Sequence, residues 1–232
     1  MNEPKQINDT IAKQIEQIRR NTGFYRPELV NRPDHDSIVS LFRAYGDAMV
    51  AWRGKRYDMQ SVRPAVDKII GWLYQEPDST LDASKGILLK GNPGTGKTVL
   101  MDILRAVIQN GRMGFFSSGE WCNLAPVQLY SRDIVNDYLA SDEPYRYIRR
   151  IAGLPCICIE DIGAEADETM VYGNRLNLIA RLVDIRCEKN RLTLGTTNLE
   201  KFSEKYDDRT ISRLNGLFNV IVLDHERDFR RK

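Results

Sequence analysis

Eight consecutive residues, Gly91-Asn92-Pro93-Gly94-Thr95-Gly96-Lys97-Thr98, match G-x-x-x-x-G-K-[ST] at every fixed position. The spacing has a chemical reason. Glycines let the backbone curl until successive N–H groups point inward, where they can hold phosphate oxygens. A helix starting at the end of the loop adds its positive pole to the same anion. Lys97 then reaches the β- and γ-phosphates, and Thr98 offers a hydroxyl to Mg²⁺. The context agrees: the apolar run Ile87-Leu88-Leu89 precedes the loop, and Val99, Leu100, Ile103, Leu104 and Val107 follow it at helical spacing. ATP with Mg²⁺ is therefore the expected ligand.

Two further polar sets follow apolar strands. Pro155-Cys156-Ile157-Cys158-Ile159 runs into Glu160-Asp161. Beside a phosphate-binding loop, the first acid of such a pair holds Mg²⁺ and the second orients and deprotonates the attacking water. Glu160 is thus expected at the metal with Thr98, and Asp161 as the base. The commoner order is Asp then Glu. Here Glu160 has an extra methylene and Asp161 one fewer, which predicts slow turnover with intact binding. The second set is Leu192-Thr193-Leu194-Gly195-Thr196-Thr197-Asn198, where Asn198 can hydrogen-bond the attacking water or the γ-phosphate. The acidic strand is expected directly beside the strand that enters the phosphate loop.

Positioning these groups takes an α/β framework. Ile87–Leu89, Val127–Tyr130, Cys156–Ile159, Leu192–Thr196 and Val220–Leu223 read as strands with helices between them, which implies a mostly parallel sheet covered on both faces. Residues 1–80 read as helical and separable. Ile11, Ile15 and Ile18, then Ile38, Leu41, Phe42, Tyr45, Met49 and Trp52, recur at helical intervals. Pro64 is expected to open a further helix. Division at residue 80 gives a helical partner-docking region, 1–80, and a nucleotide-binding domain, 81–232.

Composition narrows the class. The 232 residues carry 42% apolar and 28% charged side chains and a net charge of +2, so nucleic-acid contact must come from local basic patches. No apolar run approaches the ~20 residues of a membrane span, and the polar start lacks a secretion signal, which implies a cytoplasmic protein without a membrane partner. Four cysteines and two histidines fit no zinc pattern; Cys156 and Cys158 read as small core residues.

The whole set resembles a known family. Gly91–Thr98, Glu160-Asp161, Thr196-Thr197-Asn198-Leu199, then Tyr206-Asp207-Asp208-Arg209-Thr210-Ile211-Ser212-Arg213-Leu214 and Asp228-Phe229-Arg230 occur in one order. In this the chain is similar to the AAA+ ATPases of the DnaC type, bacterial helicase loaders related to the IstB transposition helpers and to DnaA. The likeness spans about residues 84–232. It implies a P-loop AAA+ sheet without a C-terminal lid domain. It also implies Asn198 as the sensor-1 residue and Arg213, or next Arg209, as the arginine finger toward a neighbouring subunit of a homo-oligomer. Arg230 would be the sensor-2 arginine on nucleotide bound in cis. A guanidinium suits each role because its charge is fixed and its fork matches phosphate oxygens. Some loaders dock helicase through a zinc-binding domain. The first 80 residues here have no cysteine, so docking would use helices alone.

Tyr145-Arg146-Tyr147-Ile148-Arg149-Arg150 alternates rings and charge as single-stranded DNA binding requires, although a solvated helix with tyrosines packed on the core gives the same pattern. Trp52-Arg53-Gly54-Lys55-Arg56-Tyr57 is a second such cluster, read as an exposed helix end or a contact for DNA or partner. The expected function is that of an ATP-hydrolysing helicase loader in DNA replication, with a replicative helicase and single-stranded DNA as partners. The alternatives are a transposition helper, with a transposase as partner, and a nucleotide-dependent adaptor with negligible hydrolysis.

Overall fold

The structure is a computed structural model and describes residues 28–117, 120–166, 169–171, 174–224 and 228–229. The expected helix around Ile11, Ile15 and Ile18, and Arg230, lie outside these residues.

The chain enters through a short strand, β1 (Glu28–Leu29), and two helices, α1 (His35–Val50) and α2 (Met59–Tyr74). Both helices start at an aspartate whose carboxylate accepts the N–H three residues on: Asp34 from Ser37 at 2.9 Å and Asp58 from Ser61 at 3.3 Å. Pro64 therefore does not open a helix as its residue type predicts. It sits within α2, in a helix that the Asp58 cap has already started.

After α2 come β2 (Gly86–Lys90), α3 (Lys97–Asn110), β3 (Met113–Ser117), β4 (Glu120–Asn123), β5 (Val127–Tyr130), α4 (Ser131–Ala140) and α5 (Pro144–Gly153). The chain continues through β6 (Cys156–Ile162), β7 (Thr169–Val171), β8 (Asn174–Leu176), α6 (Leu178–Glu188), β9 (Leu192–Thr197), α7 (Asp208–Leu217) and β10 (Phe218–Val222). The central sheet has five strands in the order β10-β2-β9-β6-β5, and every pairing is parallel. All five expected strands are present. One placement differs from expectation: the acidic strand β6 is not next to β2, because β9 lies between them. Strands β1, β3 and β4 form a small antiparallel sheet, and β7 and β8 a hairpin, neither of which the sequence pattern announced.

Strand alternation splits the core in two. Ile87, Leu89, Cys156, Cys158, Leu194 and Ile221 face α1, α2 and α3; Leu88, Ile157, Ile159 and Phe218 face α4 to α7. Cys156 and Cys158 are buried as expected, with burial pushing the Cys156 thiol up to about 12. The division near residue 80 falls in the α2–β2 loop, but α1 and α2 share one apolar cluster with β2, β9 and α3. No described helix is long and apolar enough to cross a membrane.

Arg186 of α6 is fully buried and closes the lower half of the sheet. Its Nε donates to Thr193 Oγ1 at 2.8 Å, and its terminal nitrogens to the carbonyls of Ala152 (3.1 Å), Leu154 (2.9 Å) and Leu192 (2.5 Å). These carbonyls belong to the exit of α5 and the start of β9, so one side chain ties three elements. Replacing Arg186 by Leu leaves buried acceptors unmet and should cost about 2–4 kcal/mol in chemical denaturation, with a matching fall in Tm.

Candidate nucleotide site

The turn from β2 into α3 needs glycine at two points. Gly94 and Gly96 have φ of +88° and +84°, in the left-handed region. A side chain at Gly94 would collide with the Asp228 carboxylate, 1.9 Å from where its Cβ would stand. Lys97 is the first residue of α3 and is buried. Its ammonium donates to the carbonyls of Gly91 and Asn92, both at 2.7 Å. The loop thus folds around its own lysine, a cation held at the helix's positive end by carbonyls that a phosphate would relieve. Thr98 is exposed at the mouth of the same turn.

The acid pair sits at an irregularity in the sheet. Ile159 pairs with Gly195, but Ile162 pairs with Thr197, so β6 carries one extra residue there. Asp161 takes φ of +55° at this bulge. Its N–H donates to Thr196 Oγ1 at 2.9 Å, and its carbonyl accepts from Ser131 Oγ at 2.7 Å. The bulge turns the two acids different ways. Glu160 is fully buried; its Oε2 accepts from Thr196 Oγ1 at 2.7 Å and its Oε1 from the Cys158 thiol at 3.4 Å. Asp161 faces outward, where Asn198 Nδ2 donates to its Oδ1 at 3.2 Å.

A cleft of about 610 Å³ lies over the phosphate loop. Gly94, Gly96, Lys97 and Thr98 form its floor, and Asp161 and Asn198 close one end. Asp102 and Arg105 of α3, paired at 2.9 Å, line its wall. The other wall was missed in the sequence: Met49 and Val50 at the end of α1, and Trp52, Lys55, Arg56 and Tyr57 from the link to α2. The cluster read as a helix end is a 3₁₀ turn, Ala51–Arg53, followed by an irregular loop on the cleft. Its composition was the available signal; its place on the cleft was not foreseen. Gly46 permits the closure, since the Tyr57 ring lies 2.3 Å from where a Cβ on Gly46 would stand. Phe229 also lines the cleft; its N–H donates to Gly94 O at 2.9 Å, and its carbonyl accepts from Lys55 Nζ at 2.8 Å.

The arginines of α7 are elsewhere. Neither Arg209 nor Arg213 lines the cleft; both turn toward Asp184 of α6, at 3.4 and 3.6 Å. In α5, Tyr145 is 62% exposed and the Arg146 side chain 80%, with Arg149 and Arg150 also exposed. Tyr147 is occupied instead: its hydroxyl donates to Asp137 at 3.2 Å and Arg150 lies over its ring.

The donor set suits a magnesium nucleotide. Glycine amides and Lys97 match a polyphosphate, and Thr98 with an acid behind it matches a hard cation whose remaining ligands are phosphate and water. No group of three or more His, Cys, Asp or Glu that would hold a metal unaided occurs among the described residues. Burial raises the Glu160 pKa, against the lowering by Thr196 and Cys158. The metal-free folded protein then holds this proton more tightly than the unfolded chain. The contribution is fully present below the ordinary glutamate value and is lost as pH rises through the raised one. Glu160→Gln should therefore flatten this part of the stability profile, and thermal melts of both proteins without metal from pH 4 to 8 should converge toward the acid end.

No family model matches the chain, and no curated protein matches it by sequence. Solved structures do. The DnaC helicase loader superposes with a TM-score of 0.52 at 16% identity, over 70% of this chain and 89% of that one. AMPPCP-bound DnaA from Aquifex aeolicus gives 0.49 at 12% identity, over 73% of this chain and 49% of that one. The Aeropyrum pernix ORC1 protein in complex with DNA gives 0.38 at 17%, over 69% and 44%. The parallel sheet, its strand order and the loop between β2 and α3 give this chain a P-loop α/β fold similar to that of the DnaC helicase loader.

Proposed function

We propose that the protein binds and hydrolyses Mg-ATP and uses that cycle on DNA as a helicase loader. The observation that carries this reading is the cleft itself: Lys97 and Thr98 on its floor, with Asp161 held by Asn198 at one end. Arg209 and Arg213 stand outside it, where they would serve a neighbouring copy in a homo-oligomer. In the reaction, the loop amides and Lys97 hold the β- and γ-phosphates, and Thr98 with Glu160 holds Mg²⁺, which neutralises phosphate charge when bound. Asp161 orients the attacking water and takes its proton, and Asn198 fixes that carboxylate. Trp52, Tyr57 and Phe229 supply ring surface for the base. Glu160 is fastened to Thr196 and must turn to reach a metal, which supports slow turnover. Arg230 remains the proposed cis arginine, from its place in the Asp228-Phe229-Arg230 motif of the sequence.

Lys97→Ala should abolish Mg-ATP binding in calorimetry. Asp161→Asn should keep binding and lose roughly 100-fold in kcat; an unchanged rate would falsify its role as base. If neither the native chain nor these variants turn ATP over, with or without DNA, the adaptor reading replaces the enzyme.

Single-stranded DNA is assigned to the exposed face of α5. Tyr145 offers a ring and Arg146, Arg149 and Arg150 offer charge on one short helix. The triple change of these arginines to alanine should weaken binding of an oligothymidine by at least about tenfold at moderate salt. Retained affinity would leave α5 as a solvated helix. For the partner, co-elution with the host's replicative helicase in Mg-ATP is the deciding test. Removing residues 1–80 would strip α1 and α2 from the core. A variant beginning at residue 28 instead tests the segment before the described fold as a docking element. No co-elution, together with a preference for duplex DNA, would point to the transposition-helper reading.

A further inference from the structure

Arg213 is held by α6 at two places one turn apart. Its Nε lies 3.6 Å from Asp184 Oδ1, and one terminal nitrogen donates to Cys187 Sγ at 3.7 Å. Arg209, one turn earlier on α7, donates to the other oxygen of the same carboxylate, Oδ2, at 3.4 Å. Exposure follows this difference: the Arg213 side chain is 37% exposed and Arg209 70%, while Asp184 is 19% exposed. A single half-sheltered carboxylate thus faces two guanidiniums, and the trio keeps one net positive charge. The contacts are long for bidentate pairing, so Asp184 orients the forks while leaving most of their N–H groups open to a stronger anion.

We infer that Asp184 is a positioning residue: from α6 it holds Arg213 in the direction in which it meets the nucleotide of a second copy of this chain. The inference rests on the proposed hydrolysis and on Arg213 acting in trans. An arginine side chain loses much rotamer freedom when it docks on a phosphate, and a chain already held loses less. Arg209 lies slightly nearer the same carboxylate, at 3.4 Å against 3.6 Å, but it is 70% exposed against 37%, so Arg213, which also meets Cys187, is the more confined of the two.

Mixing subunits tests this. Arg213→Ala protein has an intact phosphate loop and no finger; Lys97→Ala protein has a finger and no working loop. Adding the second to the first should restore hydrolysis. A Lys97→Ala donor that also carries Asp184→Asn should reach a plateau kcat roughly tenfold lower, from the added ordering cost. Its half-restoring concentration and the KM for ATP should not change, and Asp184→Glu in the donor should recover most of the plateau. If the donor with intact Asp184 restores nothing, the trans reading fails and the inference with it. If it restores activity and the Asp184→Asn donor does so equally well, the trans reading stands and Asp184 has no positioning role. A change confined to the half-restoring concentration would make Asp184 an assembly residue and overturn the inference.

Discussion

A carboxylate sealed inside a parallel sheet has to be satisfied by the strands around it, and that constraint organises the site. Glu160 is fully buried, and the Thr196 hydroxyl of the neighbouring strand donates to it. The same oxygen accepts the N–H of Asp161. One threonine therefore fixes both acids and the bulge between them. Without the extra residue in β6, strand alternation alone would set the direction of each side chain. With it, Asp161 reaches the left-handed backbone region and emerges beside Asn198. Aspartate tolerates that conformation better than a branched side chain would. This gives a physical account of an Asp in the second position of the pair.

The insertion of β9 between β2 and β6 serves the same end. A strand between the phosphate loop and the acids brings Thr196, Thr197 and Asn198 to the seam. Thr197 Oγ1 donates to Ile162 O and accepts from the N–H of Leu199, so the end of β9 is tied across to β6 and then turned. The opposite wall is built differently. It is a loop, held by the Tyr57 ring over Gly46 and by the Tyr57 N–H on Asp47 at 2.8 Å, and linked to Phe229 through Lys55. The acids thus sit on hydrogen-bonded strands, and the facing wall is an irregular loop.

Much of this was legible because periodicity and motif spacing are strong local signals. Five central strands, the loop glycines and the buried cysteines follow from alternation and from the phosphate motif. Strand order does not, since Leu192–Thr197 and Cys156–Ile162 are both buried strands and nothing local ranks them. Strands of two or three residues, such as Glu28–Leu29 and Thr169–Val171, carry no measurable period. Pro64 misled because its preference for a helix start is weaker than a capping aspartate six residues earlier. The Trp52–Tyr57 cluster was visible as chemistry, but its target depends on Gly46, a contact far from any motif.

The two kinds of arginine in the site region show why burial, not residue type, decides role. Arg186 has its donors spent on carbonyls inside the fold, so it is a tie between α6, α5 and β9. Arg213, on α7, meets a carboxylate and a thiol of α6 at long distance. Burial also lowers the Arg186 pKa to about 10, while the Cys187 contact and nearby carboxylates raise that of Arg213. A guanidinium committed to backbone carbonyls cannot move to a phosphate without opening the core. One resting on a side-chain carboxylate at long distance keeps N–H groups for a further anion without opening the core. That difference separates a structural arginine from one with donors left for a further anion.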